Sequence, residues 1–144
     1  MSVKPIPDGY HSVTPVIMVN GAARLTDFLK NVFDAKVLTS IPGPNNTVAH
    51  SEVQIGDSRL MIADANPMFP AQPSSFYMYV TDVNATYKRA LAAGAKIERE
   101  PKDQFYGDRN ASVIDEFGNR WSMATHVEDV SEEEMNRRMK AMAS

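Results

Sequence analysis

A histidine and a carboxylate stand two residues apart in the stretch AHSEVQIGD at residues 49–57. The alternation of apolar and polar residues is typical of a β-strand, and a strand places His50 and Glu52 on the same face. An imidazole beside a carboxylate can ligate a metal ion or carry out acid–base chemistry. The same side chains can also line a wetted surface, or bind a small substrate without a metal. Because two neighbours on one strand chelate poorly by themselves, a metal site here would need a third donor from elsewhere in the chain.

A second group of candidates lies in QFYGDRN at residues 104–110, which we expect to be a loop. Tyr106 offers an aromatic ring with a hydroxyl, and Arg109 offers the planar guanidinium that binds carboxylates and phosphates. Arg109 can equally pair with Asp108 or Glu52 and serve only to hold the loop. The residue types do not decide between these two roles.

Two tyrosines share one face of the predicted strand SFYMYV at residues 75–80. Ser75, Tyr77 and Tyr79 alternate with other residues, so their side chains point to the same side of the sheet. Aromatic side chains there suit a flat organic ligand, although tyrosines are also common in sheets that bind nothing. In the last predicted strand, Trp121 alternates with a serine and is expected to point into the core.

The composition excludes several classes of site and partner. The chain of 144 residues is 43% hydrophobic and 23% charged, as expected of a globular protein. It has no cysteine, which rules out disulfides, thiol nucleophiles and thiolate-bound zinc. A net charge of −3 provides no basic surface for nucleic acid, and no stretch is apolar and long enough to cross a membrane. The opening MSVKPIPDGYHS lacks the apolar stretch of a signal peptide, so we expect a cytoplasmic protein.

The order of predicted elements repeats once along the chain. Residues 11–64 contain a strand, a helix and three strands, and residues 75–126 contain the same series. The proline-rich segment 65–74 between them is predicted to be a linker. Matching the turns and helices gives a constant offset of 61 residues, as between Arg59 and Arg120 (120 − 59). Such a repeat predicts two βαβββ units that pair about a pseudo-twofold axis.

Capping residues mark the ends of the two internal helices. The stretch NGAARLTDFLKNVF has apolar residues at helical spacing, and Asn20 at its start is the expected N-cap. In DVNATYKRALAAG, we expect Asp82 to cap the second helix and Gly94 to end it.

A short C-terminal helix is predicted for residues 131–142. Ser131 and Glu134 have the spacing of a capping box at its start. Three methionines recur on one face of this helix, namely Met135, Met139 and Met142. Such a face either covers the sheet of its own chain or contacts a partner chain.

Four stretches spread over nearly the whole chain carry a resemblance to one known family. They are FLKNVFDAKV, HSEVQIGDSRLMIAD, YVTDVNATYKRALAAGAK and FYGDRNASVIDEFGNRWSM. In these stretches the chain resembles the vicinal oxygen chelate superfamily, which includes glyoxalase I, extradiol dioxygenases, fosfomycin-resistance enzymes and bleomycin-resistance proteins. The resemblance implies an α+β fold whose two βαβββ units form curved mixed sheets, or half-barrels, around a cleft, with a short C-terminal helix. It also implies a homodimer.

In that superfamily up to four His or Glu side chains bind a divalent metal, from the first and last strands of each unit. The resemblance carries these positions over to Thr14, Met61, Ser75 and Ser122. Hydroxyls and a thioether are poor ligands for zinc, nickel or iron, so no cofactor is predicted. The alternative is a zinc, nickel, manganese or iron ion held by His50, Glu52 and a third donor. At the offset of 61 residues, His50 and Glu52 correspond to Ala111 and Val113, which supply no ligand.

Two classes of function remain open. The first is a glyoxalase-like protein that binds a small organic molecule in the cleft without a metal, as bleomycin-resistance proteins do. The second is a metal-dependent lyase, isomerase or dioxygenase of the glyoxalase I type with shifted ligands. A metal-free enzyme with His50 as base, and Tyr106 or Arg109 steadying an anion, is a further alternative. No catalytic residue is assigned, and the expected partners are a small molecule and a second copy of the chain, without nucleic acid or membrane. The residues predicted to line the pocket are Thr14, His50, Glu52, Met61, Ser75, Tyr77, Tyr79, Tyr106, Arg109 and Ser122.

Overall fold

The computed structural model describes residues 2–143, which divide between Pro73 and Ser74 into two compact units. The first unit has the order strand, helix and three strands. Its elements are β1 (Val16–Val19), α1 (Ala22–Phe33), β2 (Lys36–Pro42), β3 (Val48–Ile55) and β4 (Ser58–Asp64). The strands form a mixed sheet in the order β1-β4-β3-β2, in which β1 and β4 are parallel and the other pairs antiparallel.

The second unit repeats this order and then adds a helix. Its elements are β5 (Ser75–Tyr79), α2 (Val83–Ala92), β6 (Lys96–Asp103), β7 (Asp108–Ile114), β8 (Arg120–His126) and α3 (Glu132–Ala143). The sheet order is β5-β8-β7-β6, again with a parallel first pair. Two four-stranded mixed sheets with helices confirm the predicted α+β fold class and the C-terminal helix. No helix within residues 2–143 is both long and apolar enough to span a membrane.

Each unit packs its own helix against its own sheet. In the first unit Leu25, Leu29 and Val32 of α1 are fully buried, and each such side chain contributes about 1.5–3 kcal/mol when removed from water. In the second unit Trp121 is 1% exposed and stacks on Phe76 with the ring centroids 4.5 Å apart. The prediction that Trp121 points into the core is therefore confirmed.

The N-terminus of α1 differs from the prediction. The N-cap residue is Gly21, not Asn20, and Gly21 has φ 130°, where a side chain would be strained. Asp64, at the end of β4, supplies the missing cap: its Oδ1 accepts hydrogen bonds from the backbone N–H groups of Gly21 (2.8 Å) and Ala22 (3.0 Å). The prediction missed this because the capping carboxylate lies 43 residues away in the sequence.

The ends of α2 agree with the prediction. Asp82 is the N-cap and its side chain accepts a hydrogen bond from the backbone N–H of Ala85 at 3.1 Å. Gly94 follows the C-cap with φ 97°, the left-handed backbone that ends many helices. At the start of α3, Ser131 Oγ accepts from the backbone N–H of Glu134 at 3.2 Å, which is one half of the predicted capping box.

The predicted counterparts of the His–Glu pair are wrong by one residue. Across the antiparallel strands Met61 pairs with Glu52, and Ser122 pairs with Ser112. Because Met61 and Ser122 are equivalent, the counterpart of Glu52 is Ser112 rather than Val113.

The same shift makes Asn110, rather than Ala111, the counterpart of His50. The reason is the length of the turn: Glu52 and its partner Met61 are nine positions apart in the sequence, whereas Ser112 and its partner Ser122 are ten positions apart. Ala111 is fully buried on the face of the sheet that packs against α2, whereas Asn110 lies on the opposite face.

The predicted loop at residues 104–110 is shorter than expected. The structure has a turn at residues 104–107, and the following residues Asp108, Arg109 and Asn110 already belong to β7. Asp108 and Asn110 therefore point to one face of the sheet, and Arg109 points to the other.

Candidate functional site

The face of the second sheet that points away from α2 carries a row of polar side chains. On β5 these are Tyr77 and Tyr79, and the residue directly beside Tyr77 on β8 is Ser122. Ser122 in turn pairs with Ser112 on β7, two residues from Asn110. The strand pairing thus brings hydroxyl and amide groups from three strands onto one surface.

Asp108 is the centre of a hydrogen-bond network on this surface. Its Oδ2 accepts hydrogen bonds from the hydroxyls of Tyr77 (2.7 Å) and Tyr79 (3.0 Å), and its Oδ1 lies 2.9 Å from Nδ1 of His126. The residue is only 3% exposed. Although burial opposes ionisation, the hydrogen bonds from Tyr77, His126 and Tyr79 lower the pKa of Asp108, so the carboxylate is charged at neutral pH.

The hydrogen bonds to Asp108 fix the rings of Tyr77 and Tyr79 in place. The rings of Tyr77 and Tyr79 meet edge to face at 5.6 Å, and the residues are 46% and 65% exposed. Burial and the hydrogen bond to Asp108 raise the pKa of Tyr77, and the same bond raises the pKa of Tyr79. Both hydroxyls are therefore protonated donors to Asp108, and their rings offer fixed aromatic surface to solvent.

A buried asparagine extends the network toward the turn before β7. Asn110 is fully buried, and its Nδ2 donates to the hydroxyls of Tyr106 (2.6 Å) and Tyr77 (3.1 Å). Its Oδ1 accepts from Nε2 of Gln104 at 3.2 Å. Tyr106 is thus fixed beside Tyr77, as part of the same cluster of hydroxyls.

His126 joins the buried carboxylate to an exposed one. Its Nδ1 faces Asp108, and its Nε2 lies 2.8 Å from Oδ1 of Asp129. The hydrogen bonds to Asp108 and then to Asp129 raise the pKa of His126. Both ring nitrogens can donate only in the imidazolium form, which these two carboxylates stabilise.

The network is better suited to positioning than to proton transfer. A general base works best with a pKa near the operating pH. Asp108 is shifted down from that range, and Tyr77 and Tyr79 are shifted up, away from it. His126, whose ordinary pKa of 6.5 lies near neutrality, is the exception among these groups, but both of its ring nitrogens are already engaged by carboxylates.

An open depression of about 370 Å³ adjoins the tyrosines on the same face. It is lined by Glu98, Arg99, Ser112, Arg120 and Ser122. Arg120 forms a two-point ion pair with Glu98 (2.6 and 2.8 Å), and the hydroxyls of Ser112 and Ser122 are 2.8 Å apart. The hydrogen bond from Arg120 lowers the pKa of Glu98, which is therefore ionised.

In the first sheet, the predicted His–Glu pair is a direct contact. Nε2 of His50 lies 3.3 Å from Oε2 of Glu52, and the side chains are 37% and 24% exposed. Glu52 pairs across the strands with Met61 on one side and Thr39 on the other. Among residues 2–143, no group of three or more His, Asp or Glu side chains is placed to hold a metal ion.

The four positions that the family resemblance assigned to metal ligands do not fit a divalent metal. Thr14 lies just before β1, whereas Met61, Ser75 and Ser122 lie on strands. The hydroxyl of Ser122 already shares a hydrogen bond with Ser112, and a neutral thioether and neutral hydroxyls carry no negative charge to offset a cation.

Arg109 lies apart from the tyrosines. Its Nε donates to Asn84 at the start of α2 (3.0 Å), and its Nη1 to Asp103 (3.2 Å). These contacts place it on the α2 side of the second sheet, where it holds the strand to the helix. These contacts are of the pairing kind, with partners other than Asp108 and Glu52, and a ligand role of Arg109 stays a prediction.

Asp108, Asn110 and Ser112 lie on the polar face of the second sheet, but the sequence did not predict them as a set. They alternate in DRNAS, a pattern that places all three on one face once β7 is taken to begin at Asp108. The bond of His126 to Asp129, three residues along the chain, is local. The second bond of His126, to Asp108 across the paired strands, depends on the strand register.

Comparison with known proteins shows which family the chain resembles in sequence and in fold. The sequence model of the Glyoxalase/Bleomycin resistance protein/Dioxygenase superfamily matches residues 10–123. An uncharacterised protein of Mycobacterium bovis is 34% identical over 139 residues, which cover 89% of this chain and 91% of the relative.

Solved structures share the fold at low sequence identity. One is TnmS3, described as an antibiotic binding protein from Streptomyces sp. CB03234, with a TM-score of 0.61, 21% identity, and coverage of 81% of this chain and 97% of that one. Another is the fosfomycin resistance protein FosX from Listeria monocytogenes, in complex with Mn(II) and sulfate, with a TM-score of 0.64, 15% identity, and coverage of 90% and 97%. With a family match over most of its length and the two βαβββ units described above, the chain belongs to the glyoxalase, bleomycin resistance protein and dioxygenase superfamily.

Proposed function

We propose that this chain binds a small organic molecule on the polar face of its second sheet, and that binding requires no divalent metal. The observation that carries the proposal is the network in which buried, ionised Asp108 fixes the exposed rings of Tyr77 and Tyr79. A ring packed against two immobilised tyrosines gains aromatic contact without first paying to order them.

The chemistry of the network supports binding over catalysis. Asp108 has a lowered pKa and the tyrosines have raised ones, so these three groups are not tuned to exchange protons at neutral pH. His126 has both ring nitrogens occupied by Asp108 and Asp129, so neither nitrogen faces a ligand. A site of this kind combines apolar area with a few fixed polar groups, which is the usual composition of a small-molecule site.

The family offers precedents for both a binder and a metal protein. TnmS3 is described as an antibiotic binding protein, and FosX contains Mn(II) in its complex. The residues at the ligand positions in this chain, which include Met61 and Ser122, favour the first precedent because they do not fit a cation.

A metal-dependent lyase, isomerase or dioxygenase with shifted ligands is the second candidate. The contact of His50 with Glu52 at 3.3 Å is the observation that favours it. The candidate requires at least one further donor beside this pair, since two ligands from one strand leave most of the coordination shell to water.

Metal content separates the two candidates. Elemental mass spectrometry is applied to the untagged protein purified without chelator, to His50→Ala, and to a control, His11→Ala, which removes another exposed histidine. We expect no stoichiometric metal in any sample. Stoichiometric zinc, nickel, manganese or iron that is retained in His11→Ala and lost in His50→Ala would overturn the metal-free proposal in favour of the second candidate.

Ligand binding is then tested by thermal shift with a library of small aromatic and aliphatic molecules, and hits are measured by calorimetry. We expect Tyr79→Ala to weaken the hits at least tenfold, because it removes an exposed ring of the site. The matched control is Tyr87→Phe, since the buried hydroxyl of Tyr87 has no hydrogen-bond partner in the described part of the chain. A library without hits, or hits that bind Tyr79→Ala as tightly as the wild type, would contradict binding at this face.

A further inference from the structure

The depression beside Tyr77 has features of a site for an anionic group. We propose that it binds the carboxylate of an organic acid whose apolar part packs on Tyr77 and Tyr79, an inference that rests on the proposed function and names the ligand class. The depression is formed by β6, β7 and β8, all within the second unit.

A bulge in β6 directs two charged side chains into the depression. The pairing register of β6 with β7 shifts on both sides of Arg99, from Ile97 to Arg99 and from Arg99 to Lys102. A bulge turns consecutive side chains to the same side of a strand, and bulges recur where a side chain has to be redirected. Glu98 and Arg99 consequently both line the depression, although they are neighbours in the sequence.

The charges that line the depression sum to one positive charge. Glu98 and Arg120 neutralise each other through their two-point ion pair. Arg99 is exposed, and its side chain forms no ion pair or hydrogen bond with any residue that the structure describes. Its charge acts on Glu98 only at longer range. An exposed guanidinium that lacks a carboxylate partner presents its planar donors to an anion from solution.

A hydroxyl donor lies in the same depression. The hydroxyls of Ser112 and Ser122 form one hydrogen bond with each other, which uses the hydrogen of one and leaves the hydrogen of the other. The two serines are only 1% and 7% exposed, and within residues 2–143 the remaining hydrogen has no acceptor. Because both serines line the open depression, this hydrogen is available to an oxygen atom of a ligand that enters it.

The tyrosines lie next to this donor, at the spacing of adjacent strands. Tyr77 pairs directly with Ser122, and neighbouring strands are about 4.8 Å apart. A molecule with its ring on Tyr77 and Tyr79 can therefore extend a carboxylate toward Ser122 and Arg99. The aromatic surface and the anion donors are parts of one continuous face of the sheet.

The test compares two probes of nearly the same shape, benzoate and benzamide, by amide chemical-shift titration of the ¹⁵N-labelled full chain. The variants are Arg99→Gln and a matched control, Lys88→Gln, which removes one positive charge from the exposed side of α2. We expect benzoate to shift the amides of residues 98–99, 112 and 120–122, and to bind at least tenfold more tightly than benzamide. Arg99→Gln should abolish that preference, and Lys88→Gln should preserve it.

Other results would overturn the inference in distinguishable ways. Equal binding of benzoate and benzamide, or a preference that survives Arg99→Gln, would reject the anion site and leave small-molecule binding intact. Shifts of the same amides by inorganic phosphate, without a response to benzoate, would reject an organic acid as the ligand. A full library of neutral and charged fragments that shifts no amide on this face would instead reject the proposed function itself.

Discussion

At the scale of single residues, Asp108 shows how a carboxylate can be buried without an arginine or lysine beside it. Three donors, from Tyr77, Tyr79 and His126, satisfy its two oxygen atoms. Removing one partner of such a buried group costs more than the hydrogen bond itself contributes, because the group is left unsatisfied. The fixed geometry of the tyrosine face is a consequence of this requirement.

His126 makes part of the stability depend on pH. Its pKa is raised in the folded protein from the ordinary value of 6.5, so its contribution is fully present below that value and is lost as the pH rises through the folded pKa. The pKa of Asp108 is lowered from 3.8, so its contribution is present above 3.8 and is lost as the pH falls through the folded pKa. We therefore expect His126→Gln to lower the melting temperature clearly at pH 5.5 and much less at pH 9, as measured by calorimetry.

The control for this prediction is His11→Gln, which removes an exposed histidine that lies before the first strand. It should change the melting temperature little at either pH. A loss of stability in His126→Gln that is equal at pH 5.5 and pH 9 would show that the imidazolium is not the stabilising form.

The tyrosines of the hydrogen-bond network were predicted from the sequence as candidate site residues, but the carboxylate that holds them was not. Tyr77, Tyr79 and Tyr106 were selected by residue type and strand alternation, which are local properties. Asp108 was assigned to the predicted loop at residues 104–110, which contains Gly107. Its burial depends on partners in other strands, which a local pattern does not contain.

At the scale of elements, the turn at residues 104–107 fixes where β7 begins and where the chain leaves β8. Gly107 has φ 100°, and its carbonyl oxygen accepts hydrogen bonds from the backbone N–H groups of Val127 (2.9 Å) and Glu128 (3.1 Å). A Cβ atom at this position would overlap the carbonyl oxygen of Glu128, which is backbone and cannot move aside. The turn and the segment after β8 therefore require glycine here.

We expect Gly107→Ala to destabilise the protein by about 2 kcal/mol or more, since it combines backbone strain with a steric overlap. The measurement is the free energy of unfolding in urea. The matched control is Gly94→Ala, which has nearly the same φ (97°) and open space around the added methyl group, so it should cost only about 1 kcal/mol. Equal losses in the two variants would show that the contact with Glu128 does not matter.

The helices and strands were predictable from the sequence, but the capping of α1 and the residue equivalence between the two sheets were not. Hydrophobic periodicity and capping residues predicted the helices and the eight strands, because these signals are local. The cap of α1 comes from Asp64, and the equivalence of Glu52 with Ser112 depends on one extra residue in a turn. Both relations follow from strand pairing across many residues, which a single sequence specifies only weakly.

At the scale of the whole molecule, α3 is a helix with no buried residue among those that the structure describes. Arg138 donates to the carbonyl oxygen of Phe105 at 2.9 Å and to Glu128 at 2.6 Å, which holds the helix to the second unit. No described residue of α3 is buried, and Met139 and Met142 are 53% and 67% exposed. A helix of 12 residues is marginal in water unless its apolar face is covered.

We propose that a second copy of the chain covers that face in a homodimer. We expect light scattering after size exclusion to give twice the mass of one chain, and the double variant Met139→Glu, Met142→Glu to give the mass of one chain, because carboxylates placed in an apolar interface lose their hydration. The control Ala141→Glu adds a charge on another side of the same helix and should leave the dimer intact. A wild-type mass of one chain would contradict dimerisation, and a dimer that survives the double methionine variant would place the interface away from α3.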